Sequence, residues 1–227
     1  MKRNIITLLI TVFAMLQATA QTYDNLWKQA DIIAQKDQPK SEIGVMKKII
    51  SKATAAKDYG QLLAAEIRQA ILWREISPDS LTPNVKRMET EALKAKDPVL
   101  KAVRYAVLGK VYRDMNEKKS EEFFKKALEQ PELLARNASA GYVPLTLKGV
   151  DGSSFNNDLL HLIGFEADSK EAYHLMYTYY NKVGNRGAAC LCAYKLIEKY
   201  RQDDVREVRK SKYLNTIDSL IHVYQDI

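Results

Sequence analysis

The sequence predicts an all-α protein built as a right-handed stack of antiparallel helical hairpins. Apolar residues recur at spacings of three and four along nearly all of its 227 residues, as on one face of an α-helix. No stretch alternates apolar and polar residues long enough to argue a half-buried strand. The turn residues that interrupt the pattern allow only short connections, so successive helices double back on one another.

The first twenty residues stand apart from this pattern. Lys2 and Arg3 form a basic start, residues 5–16 are almost uninterruptedly apolar, and Ala18-Thr19-Ala20 has the small-x-small form of a cleavage site. Together these read as a secretory signal peptide at 1–20. A membrane span needs roughly 20 apolar residues, and Gln17 and Thr19 break this run. The expectation is an exported helical domain at 21–227, periplasmic or outer-membrane associated, with no cysteine at the cleavage point to carry a lipid and no membrane span after cleavage. Removing Lys2 and Arg3 lowers the formal charge of +7 by two. The remaining basic residues are spread in pairs such as Lys47-Lys48, Lys118-Lys119 and Lys125-Lys126, each near acidic neighbours. Nucleic-acid binding wants a concentrated basic face, so no nucleic-acid partner is expected.

A first helix over 23–36 turns Leu26, Trp27, Ala30 and Ile33 inward, and Pro39 breaks the chain before the next. Ser41 is positioned to cap a second helix with Ile43, Met46, Ile49, Ile50 and Ala53 on its apolar face. Asp58-Tyr59-Gly60 marks a turn. A third helix follows with Leu62, Leu63, Ala65, Ile67 and Ile71, ending before Ser77-Pro78-Asp79-Ser80. Pro83 fits the first turn of a short, charged fourth helix, and Asp97-Pro98 reads as an N-cap with proline at the first helical position of a fifth.

That fifth helix carries repeat text. Tyr105, Leu108, Gly109 and Tyr112 have the W-x2-L-G-x2-Y spacing of a tetratricopeptide-like unit, and Ser120, Phe124 and Ala127 take its second-helix positions. Small residues let paired helices approach and aromatics fill the space between pairs. A weaker unit follows, with Tyr173, Met176, Tyr177 and Tyr180 on one helix, Gly184-Asn185-Arg186-Gly187 as its turn, and Ala189, Ala193 and Leu196 on the next. Here Tyr177 stands where the small residue is wanted. A last amphipathic helix with Leu214, Ile217, Leu220, Ile221 and Tyr224 is suited to cap the stack.

Between residues 141 and 157 the helical pattern fails. Gly141, Pro144, Gly149, Gly152 and Asn156-Asn157 divide the chain into an N-terminal half at 22–140 and a C-terminal half at 158–227. Irregular backbone held on a regular scaffold is where binding residues gather, so Tyr142, Leu145, Asp151 and Phe155 are candidate binding residues. The alternative is a structural cross-connection.

The run Tyr142-Val143-Pro144-Leu145, Gly149, Asp151 and Phe155, continuing to Asn157-Asp158-Leu159-Leu160-His161, resembles the N-terminal helical region of alpha-2-macroglobulin-family proteins from the Bacteroidetes. Tyr23-Asp24-Asn25-Leu26-Trp27, Ser77-Pro78-Asp79-Ser80-Leu81 and the stretch 97–112 are similar as well. The resemblance implies a helical leader to a protease-trapping protein, with a protein partner or downstream domains of the same polypeptide as its ligand. It carries over no trapping residue, since neither Cys190 nor Cys192 begins a Cys-x-Glu-Gln thioester motif. Asp79-Ser80-Leu81 also resembles the O-glycan acceptor of exported Bacteroidetes proteins, which marks Ser80 as a possible site.

Catalytic chemistry is sparse. Asp158-x-x-His161 and Glu171-x-x-His174 place a carboxylate and an imidazole three apart on each of two helices, a partial version of a ferritin-like metal site. No helix offers the bridging glutamates that would complete it, so neither metal nor cofactor is expected. Cys190 and Cys192, two apart on a helix, point about 200° from each other and are not expected to bridge one another; they read as small interface residues, with pairing between molecules of an exported protein as the alternative. Gly152-Ser153-Ser154 is not a nucleophile elbow, and 184–187 lacks the Lys-Ser/Thr ending of a phosphate loop. The sequence therefore points to a non-catalytic protein-interaction or scaffolding module. Its alternatives are a metal-binding or hydrolytic enzyme using Asp158, His161, Glu171 and His174, and a carbohydrate-binding module using Tyr177, Tyr179 and Tyr180.

Overall fold

The computed structural model describes residues 22–77, 79, 81–113, 115–142, 151–202 and 207–224. Among these, every regular element is helical. The N-terminal part holds α1 (Tyr23–Ala34), α2 (Pro39–Ala56), α3 (Tyr59–Ile76), α4 (Leu81–Lys94), α5 (Pro98–Tyr112), α6 (Glu117–Ala127) and the single-turn α7 (Pro131–Ala135). The 3-10 turns Ser139–Tyr142 and Gly152–Phe155 come next. The chain then continues as α8 (Leu159–Ala167), α9 (Lys170–Lys182), α10 (Arg186–Gln202) and α11 (Glu207–Tyr224). Residues 1–20, on which the expectation of a signal peptide falls, and Ser80 lie outside the described residues.

Local chemistry sets most of these boundaries. The Asp97 carboxylate accepts from the Val99 and Leu100 N–H groups at 2.9 and 3.0 Å, ahead of Pro98 in the first turn, as the sequence predicts. Asn116 caps α6, Ser169 caps α9 and Asp58 caps α3 in the same way. Several boundaries differ from expectation, among them that of α10, which starts at Arg186, so that Arg186 and Gly187 lie in the helix rather than in its turn. Helix α2 starts at Pro39 rather than after a Ser41 cap, because proline's fixed φ suits the first turn and leaves Ser41 inside it. With Asp58 as the cap, Tyr59 and Gly60 fall in α3 rather than in a turn. Helices α2 and α8 are closed by Lys57 and Asp168, left-handed residues with φ of 54° and 48°.

Three antiparallel hairpins form the frame: α2 with α3, α5 with α6, and α9 with α10. Helix α1 packs on α2, α4 lies across α3 and α5, and α11 lies on α10. Helix α8 touches α5, α6, α7 and α9, so it joins the halves. One apolar core binds α1, α2 and α3 through Leu26, Met46, Ile49 and Leu72, with Trp27 and Trp73 packed at its edge. A second unites α3, α4, α5 and α6. The largest runs from Leu63 through Phe124, Leu134, Phe155 and Leu160 to Tyr180 and Tyr224, so both halves share it. Two predicted inward residues are instead exposed, Ile71 at 37 % and Ile221 at 62 %.

The repeat text on α5 and α6 describes a real contact. A Cβ added to Gly109 would lie 2.7–2.9 Å from three ring atoms of Phe124, and the Ser120 hydroxyl donates to the Gly109 carbonyl at 2.7 Å. Gly109 thus permits the closest approach of the pair, and Ser120 fixes its register. In the C-terminal half the equivalent glycine lies one helix before the aligned unit. It is Gly164 in α8, which meets the Met176 side chain of α9.

Helix α3 is tied by side-chain polar pairs to four neighbours. Gln61 accepts from the Trp27 indole of α1 at 2.6 Å, and Arg68 donates to Glu42 of α2 at 2.7 Å. Gln69 accepts from Arg87 of α4, and Glu66 takes a two-point ion pair from Arg104 of α5 at 2.8 and 3.4 Å. The last pair is nearly enclosed, with side-chain exposures of 8 % and 7 %.

Three expected outcomes follow from this packing. Gly109→Ala should lower stability by about 1–2 kcal/mol in urea titration, because the enclosed Phe124 ring must move. Gly44→Ala should raise it by about 0.5–1 kcal/mol, because Gly44 is mid-helix with open space around it. Arg104→Ala should cost about 3–5 kcal/mol by stranding the Glu66 charge, and a double variant with methionine at both positions should recover most of that loss. A double variant no better than the single would show that desolvation is not the dominant cost.

Candidate functional site

The structure buries two of the four loop residues that sequence marks for binding. Tyr142 is 7 % exposed, and its 3-10 turn packs on α3. Burial, with the Asp97 carboxylate and Tyr59 nearby, pushes its hydroxyl up to about 12. Phe155 is fully buried. It stacks on the His161 ring at 4.1 Å and meets Phe165 and Tyr180 edge-on at 5.5 and 5.1 Å. Its 3-10 turn is flanked by Asp151 and Asn156 in the left-handed region, at φ 58° and 55°, which folds the segment back onto the core. Lack of helical periodicity therefore does not mean exposure here. Asp151 is exposed, and Leu145 lies outside the described residues.

The carboxylate–histidine set is also divided. Asp158 caps α8, accepting from the His161 N–H at 2.8 Å and from the Tyr180 hydroxyl at 2.9 and 3.0 Å. Burial pushes its carboxyl up to about 6, against the opposing pull of hydrogen bonds from the His161 N–H, the Tyr180 hydroxyl and the Leu160 N–H. His161 is enclosed between Phe155 and Phe165, whereas Glu171 and His174 lie on the exposed side of α9. Among the described residues, no group of three or more His, Cys, Asp or Glu is placed to hold a metal.

The remaining groups are equally committed to packing. Cys190 and Cys192 are free thiols, the first half-buried and the second buried, and burial raises both, Cys192 to about 12. Neither has the electropositive setting of a reactive thiolate. Tyr180 is 1 % exposed, so the tyrosine set expected for a sugar loses one of its three members to the core, while Tyr177 and Tyr179 are half-buried.

A groove of about 520 Å³ lies between α6 and the α8–α9 corner. Phe124, Leu128, Ala167, Ala172 and Leu175 give it an apolar floor, and Lys118, Glu121, Glu122, Lys125 and Glu171 stand around it. Charges on nearby faces are engaged. Lys119 bridges to Glu89 and the Tyr112 hydroxyl, Lys126 lies over Phe123, and Lys110 and Arg113 hold Glu166. At the C-terminal end of α8, between groove residues Ala167 and Ser169, Lys199 and the Tyr173 hydroxyl both donate to Asp168. By contrast, none of the five groove charges forms an ion pair or side-chain hydrogen bond among the described residues. Sequence reading missed this site, although Lys118, Glu121, Glu122 and Lys125 form one helical stripe at i, i+3, i+4 and i+7. What makes the stripe a rim is the wall from α9, about fifty residues away in sequence by position alone.

A scan against family models finds no match, and neither the curated proteins nor the solved structures include a significantly similar chain.

The Asp158 carboxyl gives a pH test. Its folded value lies above the unfolded one, so its contribution to stability is fully present below about pH 4 and is lost as pH rises through about 6. A displacement of this size is worth on the order of 3 kcal/mol. Asp158→Asn keeps an acceptor for His161 and Tyr180 without the buried charge. It should melt above the wild type at pH 8 and converge with it below pH 4, as followed by circular dichroism. Asp158→Ala, which strands the Tyr180 hydroxyl, should melt lower at every pH.

Proposed function

We propose that this protein is an exported, non-catalytic protein-interaction or scaffolding module that works through the groove between α6 and α9. The groove is the single observation that carries the reading. An apolar floor that reaches solvent at the half-buried Ala167 and Leu175 and is bordered by charges without internal partners is the composition of a surface that becomes satisfied on association. The structural employment of Asp158, His161, Cys192 and Tyr180 supports a non-catalytic role, since each is enclosed in packing or spent on a cap. The basic and apolar leader at 1–20 supports export. The resemblance to the helical leader of alpha-2-macroglobulin-family proteins supports a protein occupant, either a separate chain or further domains of the same polypeptide.

Site-specific photocrosslinking in the native host tests this. Benzoylphenylalanine placed at Glu121 or Glu171, on opposite walls of the groove, should give an adduct to the same polypeptide from both positions. The same residue at Asp31, on the exposed side of α1, should give none. An internal adduct within a longer form of the chain would identify the occupant as a domain of the same polypeptide. Absence of adducts at both groove positions, or equal labelling at Asp31, would refute the reading.

A further inference from the structure

We infer that the groove receives one amphipathic α-helix of a protein partner, with an acidic–basic–acidic order of side chains along the edge that meets α6. This rests on the interaction reading proposed above and names the chemistry of its occupant.

Three observations lead to a helix. Both walls are themselves helices, so their backbone groups are already bonded and offer no edge for an added strand. Of the hydroxyls at the groove, Ser120 donates to the Gly109 carbonyl and Ser169 accepts from the Ala172 N–H. An extended peptide lying on this floor would leave its own amides without partners, at the cost of buried unsatisfied groups. A helix satisfies its backbone internally. The volume of about 520 Å³ also suits a few aliphatic side chains projecting from one face at i, i+3 or i+4, and i+7.

The rim sets the charge order. Lys118 and Lys125 are seven residues apart on α6, about 10 Å along its axis, with Glu121 and Glu122 one turn in from each end. All four are exposed and none is paired among the described residues. A helix lying along α6 answers this stripe with a carboxylate opposite each lysine and a cation between them. The order is palindromic, so it holds for either direction of the incoming helix. Glu171 on the opposite wall adds a demand for a cation on the far edge.

The test uses two fluorescein-labelled 18-residue peptides with the same leucine face, one with the Glu–Lys–Glu edge order and one with Lys–Glu–Lys, titrated by anisotropy against the whole protein. The first should bind about tenfold more tightly at low salt, the size that three exposed ion pairs reach together, and the gap should close near about 0.5 M salt. Lys118→Glu with Lys125→Glu should reverse or abolish the preference. A proline in the middle of the better peptide should remove binding by breaking the helix. Leu175→Glu should remove binding of both peptides, and the exposed rim variant keeps the test valid whatever Leu175→Glu does to folding. Equal affinity for the two orders, tighter binding of the proline peptide, or no binding of either peptide overturns this inference. If groove adducts form while the peptides fail, the interaction reading stands and the helix assignment falls; if no adducts form, both fall.

Discussion

The enclosed ion pair between Glu66 and Arg104 is the constraint on which the helical arrangement depends. Apolar faces of short helices are nearly interchangeable, and a core of leucine, isoleucine and alanine tolerates sliding by a turn with modest loss. An ion pair that is almost out of water does not. Its two-point geometry holds in one register of α3 against α5, and any other arrangement leaves two charges enclosed without partners. The net gain from forming the pair is small because desolvation offsets most of it. Its weight lies in penalising the alternatives. The hydrogen bonds of Gln61, Arg68 and Gln69 extend the same selection to α1, α2 and α4, so α3 is the reference against which the first five helices are placed.

The C-terminal half is fixed by different means. Asp158 stands at the start of α8 and is held from two sides, by the His161 amide in its own helix and by Tyr180 of α9. Its neighbours Phe155, His161 and Phe165 form a ring stack that joins the irregular segment to α8. Ala138 bridges to Asp158 through the backbone, which ties the end of the N-terminal half to the same point. The segment between the halves thus serves as a structural cross-connection at both of its described ends, and the open surface lies beside it, where α6 meets the corner of α8 and α9.

The helices were legible because their signals are local. Asp97-Pro98 announces its own cap and first turn, and the spacing of Tyr105, Leu108, Gly109 and Tyr112 announces a close helix pair that the Gly109–Phe124 contact realises. Ser41 misled because two acceptable starts lie two residues apart and proline prevailed. Tyr142 and Phe155 misled for a deeper reason: periodicity reports burial only within regular elements, and a 3-10 turn held by left-handed residues can bury a side chain with no period at all. The close-approach glycine of the C-terminal half escaped notice because Gly164 precedes the helix on which the aligned unit was centred. The groove was illegible for lack of its second wall, since which stripe of α6 faces solvent depends on where α9 comes to rest.

The edge packing of Trp27 and Trp73 gives the molecule an uneven optical character. The sequence contains only these two indoles, and both belong to the core shared by α1, α2 and α3. The C-terminal helices instead carry tyrosines, several of them enclosed. Intrinsic emission therefore watches one end of the stack, while far-ultraviolet ellipticity watches its whole length. Because the largest core runs through both halves, the two signals belong to one cooperative transition as long as that core holds, and any parting of their midpoints measures how far the first hairpin can come undone without the rest.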